Sequence, residues 1–170
     1  MKQLKVLGMA AGLLFAQAAA AQDPAISTRY SSEEIVQMIR AYKAAYSHDV
    51  APPGNLWQKF QADFPRAYDV EWEAANGIYE VEFEVKRRDL KAFYDSAANL
   101  LVVVEDIRRS QLPAVVKNAA ESRCPMHHFE DVKKVRCGAE IFYKVEMERG
   151  EAEVELLIKS DGTIVEERGE

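Results

Sequence analysis

The stretch Gly77–Val85 alternates apolar and acidic residues, and this pattern constrains the fold more than any other feature of the chain. Successive side chains on a β-strand point to opposite faces of the sheet. The alternation therefore predicts a strand with one buried and one solvated face. A similar alternation begins 64 residues later. The apolar positions of the two stretches are Tyr79, Val81, Phe83 and Val85, and then Tyr143, Val145 and Met147.

Prolines indicate that the chain contains two similar units. Pro53 and Pro113 are 60 residues apart, and so are Pro65 and Pro125. Each pair of neighbouring prolines encloses a stretch with apolar residues at helical spacing, and proline ends a helix because it lacks the backbone N–H. The predicted helices cover about 55–64 and 114–123.

Four strand patterns, separated by turn residues, follow each of these helices. Asn76-Gly77 is a strong signal for a tight hairpin between the first two strands. We therefore predict two tandem helix-plus-four-strand repeats, 53–107 and 108–170, that form one antiparallel sheet with the helices on one face. This is an α+β fold.

The first 21 residues have the pattern of a secretory signal peptide. Lys2 and Lys5 precede an uncharged apolar run, and Ala19-Ala20-Ala21 offers small residues for the cleavage site. We expect residues 1–21 to be removed, and the protein to be periplasmic or secreted from a bacterial cell. An uncleaved anchor is the alternative. No stable membrane insertion is expected after cleavage, because no long apolar run follows.

The charge of the chain narrows the classes of partner. The formal net charge is −6, and removal of Lys2 and Lys5 with the leader makes the mature chain more acidic still. Nucleic acids and anionic membranes attract basic proteins, so the composition argues against both. A partner of an acidic protein is expected to be basic.

Residues 22–52 precede the predicted repeats and contain one further helix. Ser31 and Glu34 have the spacing of a capping box, in which each side chain bonds the backbone amide of the other residue. Apolar residues then recur at helical spacing, which predicts a helix over about 31–48. The proline-rich stretch 50–54 is predicted to be a linker.

Short motifs in the two repeats resemble those of the PepSY-like exported bacterial proteins. The first repeat contains Phe60-x-x-x-Phe64-Pro65-x-Ala67 followed by Val70-Glu71-Trp72. The second contains Leu112-Pro113-x-x-Val116, with Ser160-Asp161-Gly162 before the last strand. The resemblance covers about residues 53–170. It implies a fold similar to the β-lactamase inhibitory protein, and kinship with domains that are proposed to restrain proteases.

The two cysteines, Cys124 and Cys137, predict one disulfide bond, because an exported protein meets an oxidising compartment. Two free thiols are the alternative. Neither the cysteines nor the helix over 31–48 belongs to the family pattern.

One cluster in the sequence suggests metal chemistry. Cys124, Met126, His127 and His128 are soft or borderline ligands of the kind that copper and zinc prefer. However, neighbouring residues on a strand point to opposite faces, and a disulfide would remove the thiolates. We therefore expect no metal site and no cofactor, and keep a metal-binding or metal-sensing protein as the alternative function. No catalytic motif is present, so we do not expect an enzyme.

The outer face of the sheet is the leading candidate for function. If Tyr79 and Tyr143 point inward, parity places Ile78, Phe142 and Leu157 outward. The 64-residue offset between the repeats sets Phe93 against Leu157, so we expect Phe93 to face outward too. An open face with these apolar residues among acids predicts a partner-binding surface for another exported protein or peptide. The chain would then be a non-enzymatic inhibitor or regulator. Alternatively, the helix over 31–48 folds back and covers these residues.

Overall fold

The computed structural model describes residues 23–169, and the predicted signal peptide, 1–21, lies outside the described residues. Within them, three α-helices accompany one antiparallel sheet of nine strands, which lie side by side in chain order. The α+β class is confirmed. The helices are α1 (Ser32–Ala44), α2 (Gly54–Asp63) and α3 (Ala114–Arg123). The strands are β1 (His48–Asp49), β2 (Tyr68–Ala75), β3 (Ile78–Glu84), β4 (Asp89–Asp95), β5 (Leu100–Asp106), β6 (His128–Cys137), β7 (Glu140–Arg149), β8 (Ala152–Lys159) and β9 (Ile164–Gly169).

The turn between β2 and β3 forms as predicted. Asn76 has a φ of 51° and Gly77 a φ of 75°, so both residues adopt the left-handed conformation. A two-residue loop with two positive φ angles matches the twist of the strands it joins, and asparagine and glycine tolerate it best. The loop sets the register of the hairpin, in which Ala75 faces Ile78.

Helices α2 and α3 lie on the same face of the sheet, over different strands. The apolar stripe of α2 packs on β2–β5, and the corresponding stripe of α3 packs on β6–β9. Burial of these two clusters supplies most of the hydrophobic core on this face. The first cluster is rich in aromatic residues: Phe60, Phe64, Trp72, Phe83 and Tyr94. The second is mainly aliphatic: Val116, Ala120, Val145, Met147, Leu156 and Ile158.

Helix α1 begins as predicted but ends earlier. The Ser31 backbone N–H donates to Glu34 Oε2 at 2.8 Å, and the Glu34 N–H donates to Ser31 Oγ at 3.2 Å, so the capping box is formed. The prediction that the helix extends to His48 is wrong, because the helix stops at Ala44. His48 instead belongs to the short strand β1, where it pairs with Ala74 of β2. This pairing gives backbone partners to Glu73 and Ala74, near the end of β2, on an outer edge that would otherwise be exposed.

Candidate binding face

Helix α1 packs on the face of the sheet opposite to α2 and α3, above a row of apolar residues. Ile78, Phe93 and Phe142 are buried there, and Leu157 is partly buried beside them. The ring centroid of Tyr42, on α1, lies 5.8 Å from that of Phe93 in an edge-to-face arrangement. We call the set Ile78, Phe93, Phe142 and Leu157 the apolar row.

The apolar row is therefore not an open surface. The four residues share one face, as predicted, but the second of the two alternatives applies: the N-terminal helix folds back and covers them. Burial of Ile35 and Tyr42 of α1 against the row removes apolar area from water on both sides, which favours the docked helix. The idea that these residues bind a partner stays a prediction and would require α1 to move.

Hydrogen bonds hold both ends of α1 on the sheet. Near its first turn, Ser32 Oγ donates to the carbonyl oxygen of Cys137 at 3.3 Å. Near its last turn, the Asn76 side-chain amide donates to the carbonyl oxygen of Ala41 at 3.0 Å. Both bonds join residues far apart in sequence, so they add to the tertiary docking of the helix.

Beyond the apolar row this face is charged, and α1 reaches it at Tyr42, which donates to Glu73, and at Arg40, which pairs with Glu166. Three of its lysines each contact two carboxylates. Lys91 pairs with Glu80 at 3.4 Å and with Glu82; Lys133 pairs with Asp106 at 3.1 Å and Asp131 at 2.7 Å; Lys144 pairs with Glu146 at 3.0 Å and Glu155 at 2.6 Å.

These pairs determine the charge of the lysines. Burial by itself would lower the pKa of Lys91, Lys133 and Lys144, but hydrogen bonds and attraction from the neighbouring carboxylates outweigh it and raise all three pKa values. The lysines therefore stay protonated, and each one forms ion pairs with two carboxylates that lie close together on the sheet.

At one end of the charged face the acids are in excess. A pocket forms where β1, β2 and β3 meet, and among the described residues Lys91 is the only cation within ion-pair distance of its walls, where it contacts Glu80 and Glu82. We call it the acidic pocket. Its lining residues are Asp49, Glu71, Glu73, Glu80 and Glu82.

The strand register explains why the carboxylates of the acidic pocket converge. Asp49 lies opposite Glu73, Glu73 lies opposite Glu80, and Glu71 lies opposite Glu82. Like charges directly opposite one another on neighbouring strands repel, so this arrangement destabilises the empty pocket and favours cations. The pocket therefore has the electrostatic character of a site for positively charged groups.

One of these carboxylates is positioned by Tyr42, in the last turn of α1, and by Ser47, which follows the helix. Glu73 accepts a hydrogen bond from Ser47 Oγ at 2.7 Å and another from the Tyr42 hydroxyl at 3.3 Å. Burial and the nearby Glu80 carboxylate raise the pKa of Tyr42, so its hydroxyl remains a neutral donor. The same tyrosine thus contacts the apolar row and the acidic pocket.

The predicted disulfide is not formed. Cys124 and Cys137 are both free thiols and both buried. Cys124 ends α3 and packs in the core beneath that helix, whereas Cys137 packs under α1 on the opposite face of the sheet. The sheet separates the two sulfur atoms, so the alternative of two free thiols is the one that the structure has.

The hypothetical ligand set Cys124, Met126, His127 and His128 is not brought together. Cys124 is buried, while Met126 is 80% exposed and has a left-handed backbone with a φ of 67°. The Nδ1 atom of His127 lies 3.2 Å from the carbonyl oxygen of Pro125. His128 alone begins β6 and faces Glu148.

Two features of this face were not predicted: the position of Cys137 under α1 and the place of Asp49 in the acidic pocket. Only the first could have been predicted from the sequence. The hairpin loop Gly138-Ala139 pairs Cys137 with Glu140 and Val135 with Phe142. Counting back from that loop would have placed Cys137 on the same face as Phe142. The contribution of Asp49 to the acidic pocket had no such signal, because a two-residue strand has no recognisable periodicity.

Comparison with protein-family models and with curated proteins gives no match to this chain. The PepSY resemblance is thus without support from a family model. Among the helices of residues 23–169, none has the length and apolar character needed to cross a bilayer.

Solved structures, in contrast, share the fold. A DUF2874 family protein from Bacteroides ovatus has a TM-score of 0.64 at 19% identity, covering 71% of this chain and 89% of its own. A Bacteroides eggerthii protein provisionally described as periplasmic has a TM-score of 0.66 at 14% identity, with 71% and 90% covered. A BLIP-like protein from Bacteroides fragilis has a TM-score of 0.61 at 20% identity, with 75% and 90% covered. At these identities the similarity establishes the BLIP-like fold and nothing about activity.

Proposed function

We propose that this protein is an exported, non-enzymatic binding protein whose acidic pocket takes a basic segment of another exported protein or peptide. The observation that carries the proposal is the charge of that pocket: five carboxylates line it, and Lys91 is the one cation of the described chain that contacts them. Lysine and arginine side chains of a partner would relieve the repulsion among these carboxylates.

Export is supported by two independent observations. The predicted signal peptide has the charge pattern and the small residues that a signal peptidase requires. One protein with the same fold is provisionally described as periplasmic. We also keep, within the proposal, a distant kinship with PepSY-like proteins and the origin of 53–107 and 108–170 as tandem repeats. The order of elements supports the repeats, because α2 and α3 each precede four strands.

Recognition would depend mainly on charge. The apolar row is occupied by α1, so the accessible part of this face offers carboxylates and solvated lysines rather than apolar anchors. Exposed charges attract a partner over about 10 Å at moderate salt, and this attraction weakens as salt increases. A partner whose own activity depends on the bound segment would be inhibited by occupation of that segment.

The experiment is a binding titration with a fluorescein-labelled peptide that alternates lysine and serine, followed by fluorescence anisotropy in the presence of EDTA. The pocket variant is Asp49→Asn with Glu71→Gln. The matched control is Asp23→Asn with Glu151→Gln, which removes the same charges from exposed positions outside the pocket. We expect the pocket variant to bind about tenfold more weakly, equivalent to about 1.4 kcal/mol, and the control to bind as the wild type does.

The titration is repeated at high salt, where binding by the wild type should weaken strongly. If the pocket variant and the control both bind the peptide more weakly than the wild type does, and by the same factor, then net charge, and not the pocket, attracts the peptide. Absence of peptide binding at low salt would contradict the proposal altogether.

A further inference from the structure

A second cluster of side chains lies at the far end of the charged face, away from the acidic pocket and α1. Its members are His128 at the start of β6, Glu130 two residues later, and Glu148 near the end of β7. One ligand atom of each residue lies within 4.8 Å of those of the other two. The Nε2 atom of His128 is 3.4 Å from Oε2 of Glu148.

The strands bring these groups together through a β-bulge. His128 lies directly opposite Glu148, and the register shifts between Phe129 and Asp131, so Glu130 is an extra residue without a partner on β7. A bulge re-aims the side chain of the inserted residue. It here allows Glu130 to approach a histidine and a carboxylate that already face each other across two paired strands.

The charges around the cluster differ from those on the rest of the face. Lys91, Lys133 and Lys144 each pair with two carboxylates, whereas within residues 23–169 no lysine or arginine lies within ion-pair distance of Glu130 or Glu148. A further carboxylate, Glu153 of β8, lies opposite Glu148 in the register. The imidazole of His128 is the one basic group of the described chain that contacts these acids.

We propose that His128, Glu130 and Glu148 form a binding site for a divalent transition-metal ion, with Zn²⁺ as the representative. The His128–Glu148 distance agrees with the ligand spacing around a tetrahedral zinc ion, whose bonds to nitrogen and oxygen are about 2.0–2.2 Å. An imidazole nitrogen with carboxylate oxygens suits zinc better than calcium, which takes about 6–8 oxygen ligands.

The exposure of the site determines what kind of metal binding to expect. The side chains of His128 and Glu148 are 63% and 37% exposed, so water completes the coordination and the ion exchanges with solvent. We do not expect the fold to depend on the ion, because His128 and Glu130 are exposed and none of the three residues belongs to the buried core. Glu153 lies opposite Glu148 in the register, outside the set of three ligand atoms, where it could accept a hydrogen bond from a bound water.

Isothermal titration calorimetry of the exported, full mature protein with ZnCl₂ tests the site. We expect one ion per chain, and His128→Gln should weaken the affinity roughly tenfold or more, since even outer-shell changes around metals cost about 10–100-fold. His127→Gln is the matched control: it removes a neighbouring imidazole that contacts Pro125 instead of the cluster, and it should leave the affinity unchanged.

Proton NMR of the imidazole rings gives a second readout on the folded wild type. Zinc should shift the ring resonances of His128 and leave those of His127 in place. Three results would overturn the proposal: no zinc binding by the wild type, equal loss in the His127 variant, or binding that both His128→Gln and Glu148→Gln leave intact. The proposal would also be overturned if Ca²⁺ bound with the same affinity as Zn²⁺ and His128→Gln did not change that affinity, because carboxylates alone would then hold the ion.

Discussion

One face of the sheet has two parts that interact with different surroundings: the apolar row and the charged residues beside it. The apolar row is covered by the protein's own helix, whereas the charged part remains in contact with water. The boundary lies within single strands: on β3, Ile78 is buried under α1, and Glu82, four residues along on the same face, is exposed. Alternation along a strand therefore predicts the side of the sheet on which a residue lies, but not whether a helix packs over it. That depends on whether the side chain is apolar or charged.

The two parts contribute to stability in different ways, the apolar row through burial of apolar area and the charged part through ion pairs. Contacts of α1 with the apolar row exchange hydrated apolar area for packing, and each large side chain buried in this way contributes about 1.5–3 kcal/mol. The charged part contains partly exposed ion pairs, which contribute about 0–1 kcal/mol each. Stability should therefore depend strongly on the covered part and weakly on the open part.

The largest effect is expected for Phe93→Ala, at the centre of the apolar row. Phe93 is 3% exposed and contacts Tyr42. Loss of its ring leaves a cavity under α1, and the free energy of unfolding should fall by about 3–5 kcal/mol in a denaturant titration.

Ile141→Ala is the control for that experiment, because Ile141 is 36% exposed and adjoins Phe142 in sequence. We expect a change under about 1 kcal/mol for it. A small effect of Phe93→Ala, comparable to that of the control, would mean that α1 does not cover the row in solution, and the open-face hypothesis would return.

An intermediate effect is expected from pH at Cys137. Burial, with the Glu140 carboxylate adding to it, raises the pKa of this thiol to about 11. Because the pKa is higher in the folded than in the unfolded chain, the stabilisation is complete below the unfolded value, about 8.5, and is lost as the pH rises to about 11.

Between these pH values the wild type should therefore lose roughly 3 kcal/mol more stability than Cys137→Ala does. Denaturant titrations of both proteins across this range measure the difference, and comparing the two cancels the contribution of the tyrosines. Parallel pH profiles would indicate that the thiol under α1 is accessible to water in the native state.

The smallest effect is expected for Lys144→Gln on the charged part. The variant loses ion pairs with Glu146 and Glu155 and leaves these two carboxylates opposite each other on β7 and β8. The free energy of unfolding should fall by about 0.5–1 kcal/mol at low salt and by less at high salt, because salt screens the repulsion. A loss as large as that of Phe93→Ala would show that this lysine belongs to the packed core.

Local patterns predicted the elements well. The alternation on β3, the Asn76-Gly77 loop and the Ser31–Glu34 capping box each depend on residues a few positions apart, and all three appear in the structure. Parity placed Ile78 and Phe142 on the same face, and the 64-residue offset between the repeats added Phe93. In contrast, the C-terminal end of α1 was predicted too late, because backbone pairing of His48 with β2 is a long-range interaction that competes with helix extension.

The candidate sites were predicted less well, since their chemistry depends on which faces side chains reach. Cys124 and Cys137 are close in sequence and suggested a bond, yet they lie in the cores of opposite faces. His128 was grouped with its neighbours in sequence, but its imidazole pairs with Glu148 on the next strand and lies within 4.8 Å of the Glu130 carboxylate, which a bulge brings close. A bulge shifts the register by one residue, and the residue types at 128–131 do not predict one.

The sequence by itself determined the α+β class, the order of the strands and the side of the sheet to which their residues point, because these depend on short-range periodicity and turn chemistry. Only the tertiary structure decided that α1 covers the apolar row, that the cysteines are separated and that five carboxylates form one pocket. Each of those outcomes depends on contacts between residues far apart in the chain, where packing and register, and not local preference, select among arrangements that the pattern alone allows.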